Sequence, residues 1–373
     1  MHSKTASVWT YENGAPEEFS LTRLCEVAEA HFGVKCRLEK MAEGGYHKVY
    51  DIIEAGDGKS LGAVARVASP AFPGDKMKSE VATLRYIASH TSVPVPSVSV
   101  WNADASNPVG AEYMIMQKIP GIPASDNWKT LPVEIKERVV IQVSEHLADL
   151  FSLSAGDYLA HYLRALLFKC AEFPKETMRQ LGDDEEAKGD SDREQKREAL
   201  QRAERVLGKG IQLCTIYPGD ASVFPGGSST PEQLFTLRLD DFRLVNIIID
   251  EHTGKVNGYV DFEGTTTAPL WLAATVPQWI PDPDGDMASW YGGSPADQRR
   301  VWDAFHATMD RCDAEWRKAY QGGKPFRRWA DYLELGVEAW SFGHVERWVD
   351  ARLAWASERG QGVAMPESDD MLI

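Results

Sequence analysis

Three polar residues between Phe235 and Gly264 have the types and the spacing needed to hold a metal ion beside a phosphate group. Asp241 and Asn246 lie five residues apart and bracket a loop, and Asp261 ends a later apolar run. Carboxylate and amide oxygens are ligands that Mg²⁺ prefers, and a carboxylate in such a loop can accept the proton of a hydroxyl group. The stretch therefore predicts phosphoryl-transfer chemistry, with Asp241 as the base and Asn246 and Asp261 as metal ligands.

Asp240 is an alternative base, because it is the direct neighbour of Asp241. The spacing to Asn246 favours Asp241, and we expect Asp240 to face solvent or to cap the turn. Glu263 follows two residues after Asp261, where it can add a contact to the substrate without a catalytic role. Three short strands, 237–239, 246–250 and 256–261, are predicted to position these groups.

Elements earlier in the chain supply further polar groups. Gly44 and Gly45 separate two predicted strands, 38–42 and 48–53. Small residues at a hairpin tip let backbone amides approach a phosphate, although a Gly-Gly hairpin by itself is an ordinary turn. Arg66 follows on a predicted strand, 62–67, and Glu80 flanks the buried stripe of a predicted helix, 76–90.

The segment DDFRLVN resembles the catalytic loop His-x-Asp-x-x-x-x-Asn of the aminoglycoside phosphotransferase family, which are small-molecule kinases with a protein-kinase-like fold. The segment YVDFE resembles that family's hydrophobic-Asp-aromatic-Glu element, and APLWLAATVPQW is similar to the corresponding stretch of fungal members. Leu239 stands where the family pattern has histidine. Leucine cannot form the hydrogen bond of that histidine, so we expect weaker support for the metal-binding aspartate.

The resemblance implies how the nucleotide is held. Arg66 replaces the family's usual lysine and would contact the α- and β-phosphates, and Glu80 would orient it. The hairpin with Gly44 and Gly45 would close over the phosphates.

The resemblance also implies a hinge after the apolar strand predicted at 112–117. There the backbone of Gln117 and Ile119 would receive the adenine, and Met116 would line the back of the pocket. A plain buried strand is the alternative reading of the same residues.

The implied fold is α+β and bilobal, with an antiparallel sheet in the N-terminal lobe and a mainly helical C-terminal lobe. We place the nucleotide-binding lobe at residues 1–119 and the catalytic and substrate-binding lobe at residues 120–373, with a charged insert at 182–198. Apolar periodicity predicts helices at 21–32, 135–153, 158–170, 295–321 and 326–357.

Composition excludes several classes of protein. The net charge of −16 argues against a nucleic-acid surface, and none of the five cysteines forms a CxxC pair. No stretch of about 18 apolar residues exists to span a membrane. The first 14 residues lack the apolar run of a signal peptide, so we expect a cytoplasmic protein.

The sequence thus predicts an ATP- and Mg²⁺-dependent kinase that phosphorylates a hydroxyl group of a small molecule. Leu239 and Arg66 leave open a kinase-fold binding or regulatory protein that does not transfer phosphate. A third reading is an α+β protein whose carboxylates are merely solvated. The acidic PDPDGD stretch suggests a cationic acceptor, whereas nine of twelve tryptophans lie from Trp271 onward and suggest a flatter or more apolar one.

Overall fold

The computed structural model describes residues 19–69, 74–153, 191–216, 235–285, 293–334 and 342–359. The chain divides into two compact units. The first comprises Met1–Leu150, Leu239–Thr266 and Val276–Thr308, and the second comprises Phe151–Arg238, Thr267–Thr275 and Met309–Ile373. Every residue predicted for the site belongs to the first unit. The lobe boundary at residues 119 and 120 stays a prediction.

A five-stranded antiparallel sheet opens the first unit, with its strands in the order β1-β2-β3-β5-β4. The strands are β1 (Cys36–Glu43), β2 (His47–Glu54), β3 (Ser60–Ala68), β4 (Val98–Asn102) and β5 (Tyr113–Gln117), and the helices beside them are α1 (Leu21–Phe32) and α2 (Asp75–His90). The predicted α+β class, with an antiparallel sheet in the N-terminal part and mainly helices after it, is confirmed.

Strand β3 separates two parts of the hydrophobic core. Ala65 and Val67 pack in the cluster that includes residues of α1, whereas Val64 and Ala68 pack in the cluster that includes residues of α2. Successive side chains of a strand point to opposite faces. Arg66 therefore lies on the same face as α2, which carries Glu80.

The rest of the first unit combines a small sheet with helices. Strands β6, β8 and β9 are antiparallel and hydrogen bonded in that order, and a short 3₁₀ turn, Leu244–Asn246, precedes β8. The elements are β6 (Ile122–Pro123), α3 (Ala124–Asn127), α4 (Val133–Phe151), β8 (Ile247–Asp250), β9 (Lys255–Tyr259) and α7 (Pro295–Cys312). In the chain, the predicted catalytic loop follows β7 (Phe235–Leu239) and precedes β8. Strand β7 pairs with β10 (Thr265–Pro269), and residues 235–238 and 267–269 of these two strands belong to the second unit.

The second unit is mainly helical in its described residues. Its helices are α5 (Ser191–Ile216), α6 (Leu270–Ala273), α8 (Ala314–Glu334) and α9 (Gly343–Arg359). Lys209 of α5 forms ion pairs with Glu346 and Asp350 of α9. The helix predicted at 158–170 lies outside the described residues, as does the insert up to residue 190, whereas residues 191–198 begin α5.

The prediction of a single helix at 295–321 is wrong. The helix ends at Cys312, and α8 begins at Ala314, because Asp313 Oδ1 accepts hydrogen bonds from the backbone N–H groups of Glu315 and Trp316. The break predicted near residue 322 is absent, and α8 continues through Pro325. The guanidinium of Arg327 donates to the backbone carbonyls of Ala319 and Tyr320 in the same helix.

Candidate active site

Arg66 is the centre of a buried ionic network. It is 4% exposed, and its Nη1 donates to Glu80 Oε1 of α2, which is 2% exposed. Its Nη2 donates to Asp261 Oδ1 over 2.6 Å. Burial alone would lower the pKa of Arg66, but the carboxylates of Glu80 and Asp261 raise it above its usual value. The guanidinium therefore stays charged and joins β3, α2 and the loop after β9.

His47 and Glu263 extend this network. Arg66 Nη2 also lies 3.0 Å from His47 Nδ1 and 3.6 Å from Glu263 Oε2, and Lys76 Nζ lies 2.6 Å from the same oxygen. Burial and the charges of Arg66 and Lys76 lower the pKa of His47, so its ring is neutral and accepts at Nδ1. Burial raises the pKa of Glu263, against the opposing effect of Lys76.

His47, Glu80 and Glu263 also bring three possible ligand atoms within 4.8 Å of one another. The guanidinium of Arg66 contacts all three side chains. A permanent cation therefore already fills the position that a metal ion would need, so we assign no metal to this cluster.

The loop between β7 and β8 holds Asp241 and Asn246 together. Asn246, which is buried, donates from Nδ2 to the backbone oxygen of Asp241 over 2.9 Å. Arg243 contacts both carboxylate oxygens of Asp241, at 2.5 Å from Nε and 2.6 Å from Nη2. The hydrogen bonds to Asp241 raise the pKa of Arg243. This bidentate pair fixes the orientation of the Asp241 carboxylate.

Asp240 takes the position that the sequence analysis expects for it. Its side chain is exposed, and its Oδ2 accepts a hydrogen bond from Thr266 Oγ1 over 3.0 Å. Asp240 and Asp241 line the same pocket, so the lining does not decide which of the two is the base. The choice of Asp241 as base therefore stays a prediction that rests on its spacing to Asn246.

Asp261 has a left-handed backbone, with φ of 68°, and among the described non-glycine residues it is the one with positive φ. It was predicted to end a strand, but β9 ends at Tyr259 and Asp261 lies in the following loop. Two hydrogen bonds flank it in the chain. Val260 N donates to the backbone oxygen of Asn246 over 3.0 Å, and Phe262 N donates to Glu80 Oε1 over 3.2 Å. These two bonds fix the loop that carries Asp261, whereas the side chain of Leu239 has no polar atom with which to support it.

Asp241, Asn246 and Asp261 line one pocket, together with Leu239 and Phe242. One oxygen of Asp261 is bound by Arg66, and Asn246 uses its amide nitrogen towards Asp241, so each keeps one oxygen for a cation. Two protein oxygens suit Mg²⁺, which takes its other ligands from water and phosphates. The residues present therefore fit a magnesium ion.

The other residues predicted to bind the nucleotide lie in the β1–β2 hairpin and on the inner strand β5. Gly44 and Gly45 connect β1 to β2, and Gly44 N donates to the His47 oxygen over 2.8 Å, so the hairpin tip is adjacent to the Arg66 network. Met116 is buried in the α2 side of the core, opposite Val64 in the β3–β5 register. These residues do not line the pocket that holds Asp241.

Two backbones were predicted to receive the adenine. Gln117 N already donates to the Ser97 oxygen over 2.9 Å, so only its carbonyl remains for a ligand. Among the hydrogen bonds of the described residues none uses the backbone of Ile119. An N–H group at Ile119 without an acceptor among the described residues is the kind of donor that an adenine edge requires.

Three residues of the site did not stand out in the sequence analysis: His47, Lys76 and Arg243. His47 begins the strand that follows the Gly-Gly pair, and Lys76 lies one turn before Glu80 on α2, which were the available signals. Arg243 lies two residues after Asp241. This position can be read from the sequence, but the direction of the Arg243 side chain depends on the turn at Leu244–Asn246.

Comparison with known proteins identifies a family whose model covers most of the chain. A model of the phosphotransferase enzyme family (APH) matches residues 39–276. A subtelomeric hrmA-associated cluster protein of Aspergillus fumigatus is 33% identical over 127 residues, which are 34% of this chain and 24% of that protein. The match thus spans about a quarter of the length of that relative.

Two solved structures are similar at low sequence identity. A spectinomycin phosphotransferase in complex with ADP and spectinomycin has a TM-score of 0.41 at 9% identity, covering 88% of this chain and 99% of that one. A choline kinase from Cryptosporidium parvum has a TM-score of 0.41 at 10% identity, covering 90% of this chain and 92% of that one. Among the described residues, no helix has the length and apolar composition to cross a membrane.

Proposed function

The chain belongs to the phosphotransferase enzyme family, and from this premise we propose that it transfers the γ-phosphate of ATP to a hydroxyl group of a small metabolite. The observation that carries the proposal is the pocket in which Asp241, Asn246 and Asp261 converge. Arg66 connects this pocket to the buried network through its bond to Asp261. A base, two oxygen ligands and a fixed cation are the groups that phosphoryl transfer requires of a protein.

Asp241 is the proposed base. Its carboxylate accepts the proton of the acceptor hydroxyl while that oxygen forms a bond to the γ-phosphorus. The bond from the γ-phosphorus to the oxygen that bridges it to the β-phosphate breaks, and ADP leaves with the electron pair. Arg243 holds both oxygens of Asp241 and thereby orients the base.

Asn246 and Asp261 are the proposed ligands of Mg²⁺, which neutralises charge on the phosphates when it is bound. Arg66 is proposed to contact the α- and β-phosphates, and the ion pair with Glu80 keeps it in place. An arginine can hold Glu80 through Nη1 and present Nη2 to another group, as its bond to Asp261 illustrates.

The adenine is proposed to bind at the end of β5, between the carbonyl of Gln117 and the N–H of Ile119, with Met116 behind it. The hairpin with Gly44 and Gly45 is proposed to cover the phosphates, because it directly precedes His47, which contacts Arg66. A cytoplasmic location supplies ATP and magnesium and is part of the same proposal.

The experiment is a mass-spectrometric screen of hydroxylated amines, sugars and aromatic alcohols with ATP and Mg²⁺. We expect one class to gain a phosphate group. Asp241→Asn should lower the rate about 10³-fold, since a general base contributes about 10² to 10⁴. Asp240→Asn is the matched control and should retain activity, because Asp240 is exposed and bonds to Thr266.

A second function, nucleotide binding without transfer, is favoured by one observation: both oxygens of Asp241 are occupied by Arg243. Thermal stabilisation by ATP and Mg²⁺ distinguishes the two, because a ligand at 100 times its Kd stabilises the fold by about 2.7 kcal/mol. Stabilisation without any phosphorylated product supports the second function. No stabilisation by nucleotide contradicts both.

A further inference from the structure

Lys76 is a second cation beside Arg66, and the proposed phosphotransfer does not yet use it. It lies in the first turn of α2. Its Nζ lies 2.6 Å from Glu263 Oε2, and the same oxygen lies 3.6 Å from Arg66 Nη2. The two positive groups therefore share one carboxylate, which follows two residues after Asp261, the proposed magnesium ligand.

The hairpin that carries Gly44 and Gly45 contacts the same ammonium group. Tyr46 follows these glycines in the chain, and Lys76 Nζ lies over its ring, 4.1 Å from the centroid. The backbone oxygen of Tyr46 accepts from Ser69 N, directly after β3, over 2.7 Å, so the hairpin tip is attached to the neighbouring strand. Lys76 thus lies between the hairpin proposed to cover the phosphates and the loop proposed to hold magnesium.

Arg66 has few donors left for a phosphate. Each Nη atom carries two hydrogens, and Nη2 already has two partners in the chain, Asp261 Oδ1 at 2.6 Å and His47 Nδ1 at 3.0 Å. Nη1 donates to Glu80. The side chain of Arg66 is 5% exposed. A polyphosphate next to this network therefore has more acceptor oxygens than Arg66 can satisfy.

Lys76 keeps the donors that Arg66 lacks. An ammonium group has three N–H donors, and among the described residues Glu263 is the one acceptor within ion-pair distance of Lys76. The face of the Tyr46 ring attracts the charge without accepting a conventional hydrogen bond. The side chain of Lys76 is 16% exposed, about three times the fraction of Arg66. Its remaining N–H groups are therefore available to an acceptor from outside the chain.

We propose that Lys76 is a phosphate-binding residue, whose ammonium group donates to the phosphate chain of ATP beneath the Gly44–Gly45 hairpin. The inference rests on the proposed function and deepens it, because it adds a cation of α2 to the proposed contact of Arg66. A hydrogen bond between an ammonium and a phosphate is charge-assisted and about twice as strong as a neutral one. Glu263 holds the lysine in position before the nucleotide binds.

Calorimetric titration of the full chain with ATP and Mg²⁺ tests the proposal. Lys76→Met should weaken ATP binding at least tenfold, because a charge-assisted hydrogen bond is lost. Lys76→Arg keeps the charge and should bind ATP more tightly than Lys76→Met. Lys78→Met removes the same charge from an exposed position of the same helix and should bind ATP as wild type does. Equal affinities of wild type and Lys76→Met overturn the proposal.

Glu263→Gln separates a phosphate contact from a purely structural ion pair. This variant and Lys76→Met both break the pair between the two residues. We expect Glu263→Gln to bind ATP at least twofold more tightly than wild type, because a negative charge beside the phosphates is removed. An equal loss of ATP affinity in both variants would assign Lys76 a structural role and overturn the proposal.

The titration measures binding rather than transfer, so the proposal about Lys76 and the proposed function can fail separately. ATP binding that does not depend on Lys76 contradicts the phosphate contact and leaves the proposed function in place. No binding of ATP to the wild-type chain contradicts both.

A labelling experiment on the wild-type chain covers the case in which Lys76→Met does not fold. Amines are modified with formaldehyde and borohydride, and each modified site is quantified by fragment-ion mass spectrometry. ATP with Mg²⁺ should slow modification of Lys76 at least threefold, whereas adenosine should not, and Lys78 should be unaffected by either. Equal rates at Lys76 with ATP and with adenosine contradict the proposal.

Discussion

Arg66 Nη2 donates to Asp261 Oδ1 over 2.6 Å and so joins strand β3 to a loop 195 residues later in the chain. The same guanidinium holds Glu80 through Nη1. Arg66, which is proposed to bind phosphates, and Asp261, which is proposed to bind magnesium, are therefore directly hydrogen bonded to each other. Any change at Arg66 acts on both ends of the proposed nucleotide site.

Arg66→Met should destabilise the fold, because it leaves Glu80 buried without its partner. Removal of one member of a buried ion pair typically costs about 3–5 kcal/mol of unfolding free energy. Urea denaturation measures the change. Arg23→Met, at an exposed pair with Glu26 on α1, is the control and should leave the unfolding free energy nearly unchanged. Equal stability of the two variants would show that the network is not stabilising.

Arg66→Lys separates charge from geometry. Lysine keeps the positive charge but presents a single ammonium, which cannot span Glu80 and Asp261 as the fork of arginine does. We expect a smaller loss of stability than for Arg66→Met and a rise in the KM for ATP. An unchanged KM for ATP would remove Arg66 from the proposed phosphate contacts.

The pairing of Arg66 with Glu80 could be predicted from the sequence, because the resemblance to the phosphotransferase family implies that an acidic residue of the helix orients the basic residue of the strand. The contact with Asp261 could not. It depends on the left-handed backbone at that residue, which no local pattern encodes. Arg243 was missed for a similar reason, since the turn at Leu244–Asn246 decides where an exposed side chain points.

The helix boundaries show the same limit in the second unit. Apolar periodicity predicts a break between residues 321 and 326, yet α8 continues through Pro325. The real break at Asp313 had a local signal, an aspartate able to cap two N–H groups. Periodicity located the helices, but a side-chain cap that periodicity does not encode decided where one of them began.

Asp261→Asn should separate metal binding from backbone strain. Asparagine tolerates positive φ and keeps an oxygen acceptor for Arg66, so we expect near wild-type stability. The loss of the negative charge should lower Mg²⁺-dependent transfer about 100-fold. Asp261→Ala should lose the same activity and be about 1 kcal/mol less stable, because alanine disfavours the left-handed region. Equal unfolding free energies of the two variants, measured in urea, would contradict the backbone argument.

Arg243→Gln tests the orientation of the proposed base. Its ion pair with Asp241 is exposed on the arginine side, so the melting temperature should change little. The transfer rate should fall about tenfold, because the carboxylate loses its bidentate support. Arg85→Gln, at an exposed position of α2, is the control for charge and should keep the wild-type rate. A faster Arg243→Gln enzyme would mean that Arg243 restrains Asp241 rather than orienting it.

Lys136, which is largely buried in the first turn of α4, gives a prediction about how stability depends on pH. Burial lowers the pKa of this lysine below its ordinary 10.5, so between the two values the unfolded chain binds more protons than the folded one. Stability rises with pH in such a window, because protonation favours the unfolded state. The unfolding free energy of wild type should therefore increase relative to that of Lys136→Met as pH approaches 10.5, and every tenfold displacement of the equilibrium corresponds to about 1.4 kcal/mol. Asp297, the acidic residue whose charge acts on Lys136, opposes the shift and stays ionised throughout. Urea denaturation from pH 7 to 10.5 measures the difference. A constant difference between wild type and Lys136→Met across this range would contradict a lowered pKa of Lys136 in the folded protein.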